Sequence, residues 1–317
     1  MKIVFLDRDT IPAQIPVPEP TFDHQWEEYP LSTPSQTAER IKDADIVISN
    51  KAILNEEVLA LASKLKLIAI AATGTNNVDL RYCAENEISV CNIQGYATQS
   101  VPEHVIAMLF ALRRNVMGYH QDIANGEWQK KKQFCFFTHP IGDVAGSTLA
   151  IVGSGALGKA TGALGQAIGM QVIYSERKGA TVCREGYVPF DKALEIADVV
   201  SLHCPLSEET TNLIGHSELT AMKPNAILIN TGRGGLVDES SLIDALKSQQ
   251  ISGAGMDVFT EEPADESNPL IANMHLPNLL LTPHVAWGSD SAITRLCEIL
   301  IENIESYAAG NLNNRVA

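Results

Sequence analysis

No stretch of this chain is apolar for long enough to cross a bilayer: runs such as "LIAIAA" fall far short of the roughly 20 residues a membrane helix needs. The N-terminus "MKIVFLDRDT" carries an acid at Asp7 and no extended apolar region, so it does not read as a secretory leader. CxxC spacing is missing too. The six cysteines, Cys83, Cys91, Cys135, Cys183, Cys204 and Cys297, are scattered, which argues against a disulfide framework or structural zinc and favours reduced thiols in a cytoplasm. The eight histidines include no HxxxH pair, and no metal is expected. Positive charge is scarce: 23 Lys and Arg stand against 38 Asp and Glu, a formal net charge of −15. Such a surface repels phosphate backbones and anionic headgroups, so neither nucleic acid nor membrane is an expected partner. A small anionic substrate would need basic groups concentrated locally, which makes an arginine inside a cleft informative.

What the chain does have is length and alternation. Its 317 residues, 45% of them apolar, suffice for two domains. Short apolar runs alternate with helical patterns, the signature of parallel α/β sheets. In the first hundred residues the strand candidates are "IVFLD", "ADIVISN", "LKLIAIAAT" and "ISVCNI". Between them, "NEEVLALASKL" predicts a helix with Val58, Leu61, Ala62 and Leu65 on one face. "SVPEHVIAMLFALRRN" predicts an apolar helix, and "GEWQKKKQFCFFTHPIGDVAGS" reads as irregular surface chain. A second series then runs through "TLAIVGSG", "QVIYSE", "DVVSLHCP", "AILINTGRG", "SGAGMDVF" and "LLLTPHV", six strands, the size of a full dinucleotide-binding sheet. A terminal helix, with Ile293, Leu296, Leu300 and Ile304 on one face, would pack back on the first domain. The expected division is 1–98 plus 285–317 for one domain and 99–284 for the other.

"IVGSGALGKATGALGQAIGMQVIYSE" sets Gly153, Gly155 and Gly158 as G-x-G-x-x-G between a strand and a helix. The first glycine permits a tight turn, the second lets backbone approach a pyrophosphate, and the third lets helix pack on strand. The helix N-terminus then attracts the phosphates. Glu176 closes the next strand at about the 20-residue spacing of the dinucleotide fingerprint. An acid there accepts from an adenosine ribose 2′-OH and repels a 2′-phosphate, which favours NAD. The adjacent Arg177 and Lys178 keep NADP as the alternative.

Three residues follow late strands: Arg233 in "ILINTGRGGLVDE", Glu262 in "GMDVFTEEP" and His284 in "LTPHVAWGS". Ligands of open α/β sheets bind outside those strand ends. Taken singly, each has a plain structural reading: a surface turn cation, one of two loop acids beside Glu261, and a partly buried histidine. Together, behind a nucleotide turn, they suggest a reaction site.

These motifs, with "VGSGALG", "LHCPLSEETTNLI", "AATGTNNVD" and "GYATQSVPEHVIAMLFALRRN", resemble the D-isomer-specific 2-hydroxyacid dehydrogenases in order and spacing over nearly the whole chain. The last two, with "FCFFTHPIGD", look most like the glycerate dehydrogenase/hydroxypyruvate reductase branch. The resemblance implies two doubly wound α/β domains, a flavodoxin-like substrate domain and a Rossmann dinucleotide-binding domain. It implies that Arg233 grips the carboxylate and carbonyl of a 2-oxo acid, using a permanently charged planar fork that lysine lacks. His284 would be the acid/base, and Glu262 would orient its imidazole. The glycines beside Arg233 would let substrate and nicotinamide approach the backbone.

By the same resemblance, backbone N–H groups near Gly74 and Thr75 would bind the carboxylate. Lys51 would add positive charge, with a solvated loop lysine as its other reading, and Ser100 is a further substrate candidate. On the cofactor side, Ala156 and Leu157 would meet the pyrophosphate, and His203 and Pro205 the adenosine half. Thr231 also belongs to that set, and Asp257 would accept from the nicotinamide carboxamide. A homodimer is expected, with "VIAMLFAL" readable either as interface or as core. Hydroxypyruvate and glyoxylate lead the substrates. Two alternatives remain: an NAD-regulated partner-binding protein of the same fold, and a short phosphoglycerate dehydrogenase.

Overall fold

All ten apolar runs form strands in the structure, a computed structural model that describes residues 1–317, and every pairing between neighbouring strands is parallel. The chain divides into two units, Met1–Tyr96 with Gly288–Ala317, and Ala97–Trp287.

The first unit begins with β1 (Lys2–Phe5), β2 (Gln25–Glu28), α1 (Pro34–Ile41) and β3 (Ile46–Ser49). It continues through α2 (Glu56–Leu59), β4 (Leu67–Ile70), α3 (Leu80–Glu85) and β5 (Ser89–Cys91). The sheet order is β2-β1-β3-β4-β5, the 2-1-3-4-5 order of flavodoxin-like folds. β3 and β4 are buried along their whole length, as strands covered on both faces must be. β2, with sequence QWEE, is a polar edge strand that no apolar run announces.

The segment "NEEVLALASKL" departs from expectation. Asn55 caps α2 by accepting from Val58 N–H, but the helix ends at Leu59 and the chain continues through tight i→i+3 bonds to Leu65. This tighter winding buries Val58, Leu59, Ala62 and Leu65 and leaves Leu61 57% exposed.

The second unit carries α4 (Ser100–Arg113), α5 (Val116–Ala124), α6 (Glu127–Lys131), β6 (Thr148–Val152), α7 (Ala156–Ala167), β7 (Gln171–Ser175) and β8 (Tyr187–Val188). Then come α8 (Phe190–Ile196), β9 (Val199–Leu202), α9 (His216–Ala221), β10 (Ile227–Asn230), α10 (Glu239–Lys247), β11 (Gly253–Met256), α11 (Pro269–Ala272) and β12 (Leu279–Leu281). The remaining helix, α12 (Asp290–Ala308), belongs to the first unit, where it packs on β4 and buries Ile293, Leu296, Leu300 and Ile304. Residues 126–147 are not wholly irregular, since α6 forms one short helix there.

The second sheet has seven strands, not six, in the order β12-β11-β10-β9-β6-β7-β8. Its two faces follow the period-two rule. Ala150, Val152, Val200, Leu202, Leu228 and Met256 point into one core. Leu149, Ile151, Val199, Ile227 and Ile229 point into another, where they meet Val105, Met108 and Leu109 of α4. "VIAMLFAL" is therefore a core-packing stretch. Strand order reverses between β6 and β9, the place where such sheets open a crevice at their carboxyl ends.

Candidate active site

The glycine turn lies at that reversal. Gly153 follows β6 with φ +101°, and a Cβ there would come within 2.5 Å of the Cys204 amide nitrogen. A Cβ on Gly158 would overlap the Gly153 carbonyl. Both glycines are demanded by the fold itself. Gly155 is not: its φ is −70°, and a Cβ would meet no protein atom within 4 Å. The clearance at Gly155 therefore suits an outside group, as close approach of a pyrophosphate requires. Ala156 and Leu157, the first residues of α7, carry N–H groups with no intrahelical acceptor. These residues fit a dinucleotide.

Glu176 follows β7 and is almost fully buried. Its partner is neither of the two cations flagged beside it. Lys178 pairs with Glu218 at 2.9 Å, and Arg177 contributes its backbone N–H. The guanidinium on Glu176 is that of Arg184, whose Nε and Nη2 donate to the two carboxylate oxygens at 2.7 and 2.9 Å. These bonds, with the Arg177 and Arg184 backbone N–H groups, hold the Glu176 carboxyl down at about 2. Sequence spacing offered no pointer to Arg184, eight residues beyond the acid in a turn before the two-residue strand β8.

His203 leaves β9 with its N–H donated to the Val152 carbonyl at 2.7 Å, which ties it to the glycine turn. Its Nε2 lies 2.9 Å from Ser201 Oγ, and burial pushes its pKa down to about 4, so the ring is neutral at pH 7. The Pro205 carbonyl accepts from Thr210 Oγ1 at 2.8 Å. Burial raises the Cys204 thiol, which fits packing better than chemistry. Thr231, at the end of β10, is 8% exposed, and its hydroxyl finds no partner in the chain. A buried hydroxyl left without a protein partner is a second observation that fits a ligand here.

Arg233, Glu262 and His284 follow β10, β11 and β12, which are adjacent in the sheet. The turn at Arg233 is bracketed by buried Asn230, whose amide donates to the Arg233 carbonyl at 2.8 Å and whose oxygen accepts from Gly232 N–H at 3.0 Å. Arg233 Nη1 donates to the Gly232 carbonyl at 2.7 Å, and no carboxylate forms a salt bridge with this guanidinium. A Cβ on Gly234 would overlap the Phe259 carbonyl. That glycine gives clearance to the neighbouring strand's loop rather than to a ligand, and so draws the arginine turn against the segment carrying Glu262.

Glu262 spans the next gap. Its Oε1 accepts from Phe259 N–H at 3.0 Å, and its Oε2 lies 2.6 Å from His284 Nδ1. With Nδ1 engaged, Nε2 is the ring nitrogen left for other chemistry. The imidazole and carboxylate are 27% and 31% exposed, within reach of a small molecule. His284 has φ +56°, a costly conformation outside glycine, so the loop carrying it must be held firmly.

Asp257 does much of the holding. It is fully buried, and its carboxylate accepts from Thr282 Oγ1 at 2.5 Å and from Val285 and Ala286 N–H at 2.9 Å each. His284 N–H donates to the Asp257 carbonyl at 2.7 Å. From α4, Ser100 Oγ donates to the Ala286 carbonyl at 2.6 Å, and His104 Nε2 lies 3.0 Å from Thr282 Oγ1. Asp257 and Ser100, the expected carboxamide and substrate contacts, are both buried and both bonded to the His284 loop; Asp257 Oδ2 accepts from Ala286 N–H alone. His104, one turn beyond Ser100 on α4, was missed, since its partner lies 178 residues away.

In the first unit, Lys51 follows β3, and Gly74 and Thr75 follow β4, the neighbouring strand. Asp7 accepts the Asn50, Lys51 and Ala52 N–H groups and fixes that first turn, while the Lys51 residue is exposed. No group of three or more His, Cys, Asp or Glu side chains is placed to hold a metal, and no helix is long and apolar enough to cross a membrane.

Comparison with known proteins bears on the chain as a whole. The model of the family described as "D-isomer specific 2-hydroxyacid dehydrogenase, NAD binding domain" matches residues 106–286. A Haemophilus influenzae protein provisionally named a 2-hydroxyacid dehydrogenase is 53% identical over 97% of this chain and 98% of its own. Glycerate dehydrogenase of Methylorubrum extorquens is 44% identical over 99% of this chain and 98% of its own. The crystal structure of the TT0316 protein from Thermus thermophilus superposes with a TM-score of 0.85 at 30% identity, covering 100% of both chains.

Proposed function

The chain belongs to the D-isomer-specific 2-hydroxyacid dehydrogenases, NAD-dependent oxidoreductases that interconvert 2-oxo acids and D-2-hydroxy acids, and on that premise we propose that it acts on hydroxypyruvate or glyoxylate through Arg233, Glu262 and His284. One observation carries the assignment: His284 Nδ1 is fixed at 2.6 Å by Glu262, which leaves Nε2 for the substrate, and Glu262 follows the strand next in the sheet to that of an arginine with no carboxylate partner. Arg233 would hold the substrate carboxylate by paired charge-assisted hydrogen bonds. A nicotinamide cofactor held at the Gly153–Leu157 turn would supply the hydride that the carbonyl carbon takes up. His284 Nε2–H would donate a proton to the carbonyl oxygen and, in the reverse direction, Nε2 would take it from the hydroxyl. Glu262 would keep the ring aligned and accept from Nδ1–H while it is cationic. Asp257, Ser100 and His104 would support the reaction by holding the His284 loop.

The preference for a small oxo acid is supported by relatives named glycerate dehydrogenase, hydroxypyruvate reductase and glyoxylate reductase. NADH oxidation across hydroxypyruvate, glyoxylate, pyruvate and a branched-chain oxo acid tests it, with the chirality of the product assayed. The highest kcat/KM is expected on hydroxypyruvate or glyoxylate, giving D-glycerate from the former. A clear maximum on the branched acid, or an L product, would defeat the proposal.

The chain is also proposed to pair as a homodimer. The face offered is the α5–α6 region, where Val116, Met117, Ile123, Trp128, Phe134 and Phe137 are exposed, Phe134 by 94%. Large apolar side chains left exposed close together in one region mark an interaction surface. Light scattering should return twice the chain mass for the protein and a lower mass for Phe137→Asp. A monomer at micromolar concentration would count against it.

A further inference from the structure

An ionised carboxylate has about four acceptor positions, and in Glu176 all four are filled. Oε1 accepts from the Arg177 N–H and from Arg184 Nη2, both at 2.9 Å. Oε2 accepts from the Arg184 N–H at 3.1 Å and from Arg184 Nε at 2.7 Å. A ribose 2′-hydroxyl could bond to this carboxylate only by displacing one of these donors. The glutamate side chain is 6% exposed, whereas that of Arg184 is 51% exposed. The group presented to solvent after β7 is therefore a cation.

Arg184 is also tied to the phosphate-binding turn. Its guanidinium lies 3.8 Å from the centroid of the Tyr187 ring, and the Tyr187 hydroxyl bonds Ser154 Oγ at 2.6 Å, between Gly153 and Gly155. Nη1 and the second Nη2 hydrogen are not used on Glu176. Lys178 is drawn away to Glu218, and Arg177 is exposed nearby. Glu176, Arg184 and Arg177 together carry a net positive charge in a strongly acidic chain. A hollow of about 250 Å³ opens beside Glu176, lined by Arg177, Thr181 and the start of α8, including Asp191 as its one other acid.

We propose that Arg184 determines cofactor choice at the adenosine 2′ position, and that by saturating Glu176 it lets the chain take NADPH as well as NADH. The sequence fingerprint reads Glu176 as a repeller of 2′-phosphate. In the structure its charge is neutralised, and the neutralising guanidinium is half exposed and keeps Nη1 and one Nη2 hydrogen for a phosphate, with a fork suited to it. The proposal rests on the dinucleotide reading of this site and extends it.

Calorimetric titration with adenosine 5′-monophosphate and adenosine 2′,5′-bisphosphate tests the proposal without turnover. Wild type should bind the bisphosphate at least as tightly as the monophosphate. Arg184→Ala should weaken the bisphosphate by about tenfold or more, the loss of one or two charge-assisted hydrogen bonds, and leave the monophosphate within about threefold. Glu176→Gln, which keeps the cation, should retain bisphosphate binding, and unchanged thermal unfolding would show that the variants fold. The kcat/KM ratio of NADH to NADPH should rise in Arg184→Ala in step with the binding data. Monophosphate binding with bisphosphate far weaker in wild type would overturn the inference and leave the dinucleotide site standing. Binding of neither would overturn the site reading itself.

Discussion

His284→Ala is expected to lower kcat for 2-oxo acid reduction by roughly 10²–10⁴-fold, the usual contribution of a positioned acid/base group. NADH affinity, followed by fluorescence titration, should change little, because the glycine turn and the residues after β7 and β9 are untouched. The expectation follows from the ring's geometry: Nδ1 is committed to Glu262, and Nε2 is the only nitrogen left to exchange a proton with substrate. Glu262→Gln keeps the shape but not the charge, and should fall between wild type and His284→Ala. A loss in His284→Ala smaller than about tenfold would remove this histidine from the chemistry.

The second large effect is expected at Arg233. Two charge-assisted hydrogen bonds to a carboxylate are worth about 1.5–3 kcal/mol each, so Arg233→Ala should cost on the order of 10²–10⁴-fold in kcat/KM. Both kcat and KM should suffer, since a loosely held oxo acid is also misplaced against the proton donor. Arg233→Lys should recover only part of the loss, because an ammonium cannot present the planar fork. Steady-state kinetics with hydroxypyruvate and with glyoxylate would measure this, and an unchanged KM in Arg233→Ala would show that the carboxylate is bound elsewhere.

The parallel sheets were legible in the sequence because buried strands announce themselves as apolar runs, and all ten such runs are strands. β2 and β8 were not, the one polar at an edge and the other only two residues long. The helix expected over 55–65 is α-helical only over Glu56–Leu59 for a related reason: apolar spacing cannot separate α winding from the tighter i→i+3 turns that follow it. In the site, the glycine turn and the three strand-end residues carry local signatures. Their supports do not. Ser100 meets Ala286 across 186 residues, Asp257 meets the loop 28 and 29 residues on, and Arg184 reaches back to Glu176 from a turn without pattern. Gly234 looked like clearance for a ligand, and only the position of the Phe259 carbonyl shows that a neighbouring backbone needs that space.

The three proposed reacting side chains leave three consecutive parallel strands, β10, β11 and β12. Hydrogen-bonded strands repeat at about 4.8 Å, so the gauge of the sheet, rather than any side-chain choice, sets how far apart cation, carboxylate and imidazole begin. Changes in substrate range must then come from the surrounding loops, while the strand ends serve as a fixed ruler that every variant of the pocket inherits.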